Sequence, residues 1–176
     1  MKTTLKTIRS CDPCTASWAK LLAHFGKTEA DETEVRIVEI LDLLGVEDAI
    51  WALRAVEGHD REMRLLAVAC ARRVQHKMTD QRSLNALDVA ERFANGEATQ
   101  EELKEAMEMA YGAAYMVAYD AAYMAAYWAA DLDAYVAAGW AACASGDSEA
   151  ERAWQAEELL RVCLAIEAGA VVSLAD

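Results

Sequence analysis

The chain has 176 residues, enough for one ordinary domain with a sizeable core. Thirty-eight alanines, a single proline and only 8 glycines favour helix throughout, and the absence of long β-branched alternating runs excludes any substantial sheet. The net charge of −13 is uneven: 14 of the 17 Lys/Arg precede residue 93 and none falls between Glu105 and Glu151, which argues against nucleic-acid binding, above all for the C-terminal half.

An acidic surface suits solubility, or a basic partner reached by electrostatic steering. Five cysteines, an odd number, point to reduced thiols, and the start MKTTLKTIRSC has no apolar run of a secretory leader. A cytoplasmic location is therefore expected.

Thr3 or Thr4 can cap a short first helix carrying Leu5 and Ile8. Next comes CDPCTASWAKLLAHFG, where Asp12 followed by Pro13 reads as a helix start and Gly26 as its end. The Cys11-x-x-Cys14 pair lacks the second pair of ligands that a structural zinc site needs, and no βαβ pattern supports a redox motif. Cys14 is still expected near a helix N-terminus, where a thiol pKa falls.

After the polar stretch KTEADET, the run EVRIVEILDLLG reads as one helix with Val35, Ile37, Val38, Ile40, Leu41 and Leu44 on a broad buried face. VEDAIWALRAV is a short helix ending near Gly58. Asp60 is placed to cap REMRLLAVACARRVQHKM, and Thr79 or Asp80 to cap QRSLNALDVAERFA, closed by Asn95-Gly96. Thr99 with Glu102, and Ser148 with Glu151, have the spacing of capping boxes. The second box opens a last helix holding Trp154, Leu159, Leu160, Val162 and Leu164.

Between those boxes lies the alanine–tyrosine segment MAYGAAYMVAYDAAYMAAYWAADLDAYVAAGWAACA. Asp120, Asp131 and Asp133 interrupt it too often for a membrane span. Tyrosines spaced by four drift by about 40° per step and so cannot line one face. As one helix, residues 100–144 would run about 68 Å, against a radius of gyration of roughly 16 Å for a compact chain of this size. A break is expected, best at Asp131-Leu132-Asp133 with Asp131 as the new cap and second best at Gly112, giving an antiparallel hairpin.

The whole is expected to be all-α: a single-domain bundle of seven or eight helices. It divides into a charged block over 1–98, the Ala/Tyr-rich long helix or hairpin over 99–144, and a C-terminal helix over 148–170.

Two groups of residues carry candidate chemistry. Arg64, Arg72, Arg73, His76, Asp80 and Arg82 form a polar cluster able to bind an anion, or else to knit helices together through Asp80, Asp88 or Glu91. Tyr115, Tyr119, Asp120, Tyr123, Tyr127, Asp131 and Asp133 are the candidate partner-binding residues, since tyrosine buries a large rigid area at low entropic cost. No catalytic, cofactor or metal-binding fingerprint is present, and neither enzymatic activity, a cofactor nor a metal is expected.

The block from ILDLLGVEDAIW to GEATQEEL resembles the immunity proteins of bacterial polymorphic-toxin systems and their phage-borne, alanine-rich relatives. The matching positions are Asp48, Trp51, Arg54, Arg64, Arg72, His76, Thr79, Asp80, Arg82, Ser83, Ala90, Glu91, Arg92 and Gly96. CDPCTASWAKLLAHFGKTEAD also fits the phage group. The resemblance spans roughly residues 8–130 and implies an all-α, non-enzymatic protein that neutralises another protein. The relatives carry arginine and aspartate among the alanines, where this chain has tyrosine and methionine. The expected function is inhibitory binding of a partner protein such as a basic toxin or a host defence protein. A self-associating helical module and a small-anion binder are the alternatives.

Overall fold

The computed structural model describes residues 1–116 and 120–174. Among these residues the chain is all-α, with ten α-helices and one minimal two-stranded sheet. Its backbone contacts gather into two compact units: Met1–His59 with Ala156–Val171, and Asp60–Gln155 with Val172–Asp176.

The first unit opens with β1 (Lys2–Thr4), paired antiparallel to β2 (Glu34–Arg36) so that Thr3 faces Val35. The expected helix over EVRIVEILDLLG thus loses its first three residues to a strand. Val35 is buried as foreseen, but from the sheet, and the Ile37 N–H continues the ladder to the Met1 carbonyl at 3.1 Å. A three-residue strand is too short for alternation to announce it.

Thr4 caps α1 (Leu5–Ser10) by accepting the Thr7 N–H, as the sequence indicates. Helix α2 (Thr15–His24) begins later than Asp12-Pro13 suggests. Asp12 takes a left-handed conformation at φ 57°, which ends the preceding turn, and Cys14 becomes the N-cap residue. The polar stretch after α2 is tied down: Lys6 N–H and Leu5 N–H donate to the Asp31 and Thr33 carbonyls at 2.9 and 3.0 Å. Helices α3 (Ile37–Leu44) and α4 (Val46–Ala52), followed by a 3-10 turn over Leu53–Ala55, bury Ile37, Ile40, Ile50 and Leu53.

In the second unit α5 (Asp60–Arg72) is nearly all buried on its inner side. It stops at Arg72, earlier than the expected run to Met78. A 3-10 turn over Gln75–Lys77 follows, and this change of path turns both Val74 and Met78 inward. Helix α6 (Gln81–Ala94) has Asp80 as its cap, accepting the Arg82 N–H at 2.9 Å. The Thr99–Glu102 box opens α7 (Gln100–Met116), with Thr99 N–H on Glu102 at 2.8 Å and Glu102 N–H on the Thr99 hydroxyl at 3.2 Å.

The alanine–tyrosine segment contains α7, α8 (Ala121–Ala130) and α9 (Ala134–Ser145), three helices where a hairpin of two was expected. The break at 131–133 is present, but Asp133 caps α9 and Asp131 ends α8. The earlier break includes Asp120, which caps α8, and Gly112 lies inside α7. Small alanines let α8 approach both α7 and α9 closely, and α5 packs against α6, α8 and α9.

Helix α10 (Ser148–Glu167) gives its N-terminal part to the second unit and its C-terminal part to the first. The Ser148–Glu151 box does not form. Asp147 accepts the Ala150 N–H at 3.0 Å instead, while Glu151 is turned inward to Arg73. Leu159 and Val162 are buried as expected; Leu160 and Leu164 are exposed.

Candidate functional site

The polar cluster is dispersed among several helix joints. Arg72 reaches from α5 to α6, donating to Asp88 at 3.0 Å and Glu91 at 2.6 Å, and to Gln75 at 3.2 Å. Arg73 pairs with Glu151 at 2.7 Å and lies over the Trp154 ring at 4.3 Å. Asp80 holds Arg82 in a two-pronged pair, with the shortest contact 2.6 Å. His76 is exposed on its 3-10 turn. This is the knitting arrangement, and it assembles no common anion pocket from the six residues.

Arg64 is the odd member. It is buried, donates to the Ala130 carbonyl that ends α8, and stands 5.1 Å from the Phe93 ring centre. Burial lowers its pKa, opposed by the nearby charges of Asp131 and Asp60. Asp131 is raised, first by burial and then by Asp133, with Arg64 pulling the other way. Arg64 belongs to the packing of α5 against the end of α8, where Asp131 stands exposed.

The candidate partner-binding residues also separate. Tyr123 is only 4% exposed and must be removed from the list. Its hydroxyl oxygen accepts the backbone N–H groups of Thr79 and Asp80 at 2.8 and 3.2 Å, and shares a hydrogen bond with the Thr79 hydroxyl at 3.0 Å. Tyr127 is half-buried, its ring 5.3 Å from that of Tyr111 and 5.0 Å from Trp128. Asp120 and Asp133 are helix caps, accepting the N–H groups of Ala122 and Val136, each at 3.0 Å. Asp120 and Asp131 sit at opposite ends of α8. Tyr119 lies outside the described residues.

Tyr115 remains exposed, at 64%, and it has company that the sequence reading missed. Met116 is 74% and Met109 48% exposed, and Tyr111 is also on the surface. Leu103, Ala106, Ala110, Ala113 and Ala114 hold the buried side of α7, which leaves these large residues facing out. The signal was present in the spacing. Once α7 is known to end at Met116, Met109, Gly112 and Met116 fall at the three- and four-residue steps that share a face.

Two concavities lie elsewhere among the described residues. One, lined by Ile8, Pro13, Trp18, Leu21 and Trp51, has about 20 Å³ of free volume, room for roughly one water. The other is an open groove of about 280 Å³ along α9, formed by Tyr135, Val136, Gly139, Trp140, Cys143 and Arg152.

Cys14 sits at the start of α2, and the amides of Ser17 and Ala16 hold its thiol below the usual range. Cys11 instead points its sulfur at the Arg54 carbonyl, 3.8 Å away. Among the described residues no group of three or more His, Cys, Asp or Glu is placed to hold a metal ion. No helix among them is long and apolar enough to cross a membrane.

Comparison with protein-family models, with curated proteins and with solved structures finds no match for this chain.

Proposed function

We propose that this protein is a non-enzymatic inhibitory binding protein, of the immunity or phage anti-defence type, which acts by occluding a basic partner protein. One observation carries the reading: Met109, Tyr115 and Met116 stand exposed together at the end of α7. Clustered exposed apolar side chains mark protein-interaction surfaces, and tyrosine and methionine are enriched in them. The surrounding chain has no Lys or Arg between Glu105 and Glu151, so a basic toxin or defence protein is the electrostatic complement.

The test is stoichiometric inhibition. A partner recovered from the host cytosol should lose activity when this protein is added at equal concentration. The double substitution Tyr115→Ala with Met116→Ala should restore that activity while leaving the melting temperature unchanged. Full partner activity in the presence of a molar excess of protein sinks the proposal.

Self-association is a second reading, favoured by Leu160 and Leu164, four apart on α10 and both exposed. A strict monomer by light scattering at high protein concentration excludes it.

A further inference from the structure

The outward side of α7 is divided along its length. Its first turns expose Glu101, Glu105 and Glu108; its last turns expose Met109, Tyr111, Tyr115 and Met116. Glu102, also in the first turns, is committed to the Thr99 cap and to Arg92 at 3.2 Å. With 17 residues the helix offers about 25 Å of such surface, acidic at one end and apolar at the other.

Gly112 lies in the middle of this exposed side. A glycine inside a helix costs about 1 kcal/mol relative to alanine, and alanine is this segment's default residue. Packing within the chain does not demand the glycine: a Cβ there would meet only Arg82 Nη1 at 3.6 Å, an ordinary contact. What the missing side chain provides is a shallow place between Met109, Tyr115 and Met116 where another backbone can come close.

The cations beside this face are already occupied. Arg82 is held by Asp80 at 2.6 Å and Lys104 stands 4.0 Å from Glu108. A second copy presents the same face, whose Arg82 and Lys104 are already paired with Asp80 and Glu108, so it sets no uncommitted cation of this face against Glu101 and Glu105. A membrane surface, itself anionic, is repelled by the same glutamates.

We propose that this face of α7 docks a basic amphipathic helix of the partner protein. The charged turns of that helix sit on Glu101 and Glu105, and its apolar turns sit on Met109, Tyr115 and Met116 across Gly112. Methionine adapts to irregular partners and tyrosine adds rigid area, a combination suited to helix-in-groove recognition. This inference rests on the binding reading above and specifies the partner element it recognises.

The experiment uses the full chain and a fluorescent Leu/Lys amphipathic peptide of about 18 residues, five helical turns, read by anisotropy. Two control peptides accompany it: the same composition scrambled, and a Leu/Glu version. The Leu/Lys peptide should bind saturably, and more weakly as salt rises. Tyr115→Ala with Met116→Ala, and Glu101→Gln with Glu105→Gln, should each weaken it by about tenfold, the effect of losing contacts near the centre of an interface. Gly112→Ala should weaken binding while raising the melting temperature, and Trp140→Ala on α9 should leave binding unchanged.

Equal binding of the scrambled peptide, indifference to both double substitutions, or loss only in Trp140→Ala overturns the proposal. The two readings fail separately. Peptide binding on α7 without inhibition of any partner overturns the inhibitory function alone. Inhibition that survives the Tyr115/Met116 substitutions overturns the docking alone.

Discussion

The hydroxyl of Tyr123, in the middle of the alanine-rich segment, accepts the backbone N–H of Thr79 at 2.8 Å, just before α6 begins. One phenol thereby ties α8 to the turn that carries the Asp80 cap, and pairs two part-buried backbone donors that alanine could not reach.

Tyr123→Phe keeps the ring and removes that acceptor. Leaving the Thr79 and Asp80 N–H groups without that acceptor should cost about 1 kcal/mol, a fall in melting temperature of roughly 2–4 °C for a chain of this size. Thermal unfolding by circular dichroism measures it; an unchanged midpoint would mean the hydroxyl carries no structural weight.

Gly139→Ala should do the opposite. The glycine is inside α9, and a Cβ there meets no atom within 4 Å. The substitution should stabilise by about 0.5–1 kcal/mol. By contrast, Gly146→Ala should destabilise, because Gly146 ends α9 at φ 87°, where a side chain is strained. Paired melting curves separate the two cases.

Acid should unfold the protein through specific carboxylates. The Arg82 side chain beside Asp80 holds that carboxyl down at about 2, and Lys27 with Thr33 does the same for Asp31, also at about 2. Both folded values lie below the unfolded one. Their stabilisation is complete above the ordinary value of 3.8 and is lost as pH falls towards about 2. The melting temperature should therefore drop across that window, and Asp80→Asn should flatten part of the drop.

Cys14 should be the first thiol alkylated by iodoacetamide near neutral pH, because the amides of Ser17 and Ala16 favour its thiolate and the residue is exposed. Cys70 and Cys163 are buried and should react only on unfolding. Peptide mass spectrometry over a time course gives the order, and early labelling of Cys163 would contradict the described core.

Phosphate and pyrophosphate at millimolar concentration should leave the melting temperature unmoved, since Arg72, Arg73 and Arg82 are each engaged by carboxylates. His76→Ala, at an exposed position, should shift stability by no more than about 0.5 kcal/mol. A thermal shift by phosphate that His76→Ala abolishes would reinstate the anion-binding reading.

Helix content and several helix ends are legible in the residues alone, because caps and propensities act over a few neighbours. Thr4, Asp80 and the Thr99–Glu102 box are capped as the local spacing dictates. So is the break between α8 and α9, although the capping role falls to Asp133. Local rules mislead where a distant partner competes for the same residue. Glu151 has the spacing for a box with Ser148, yet Arg73, far away in the chain, takes it. Val35 has the spacing for a helix, yet pairing with β1 draws it into a strand.

The same distinction governs the candidate surface. By itself the sequence determined an acidic, alanine-rich helical segment with tyrosines too evenly spaced to share one face. Only the tertiary structure decided which side chains remain outside. It buried Tyr123 against Thr79, spent Asp120 and Asp133 as caps, and left Met109, Tyr115 and Met116 in solvent. The reason is physical: exposure depends on where each helix ends and on what packs against it, and those contacts join residues far apart in the chain.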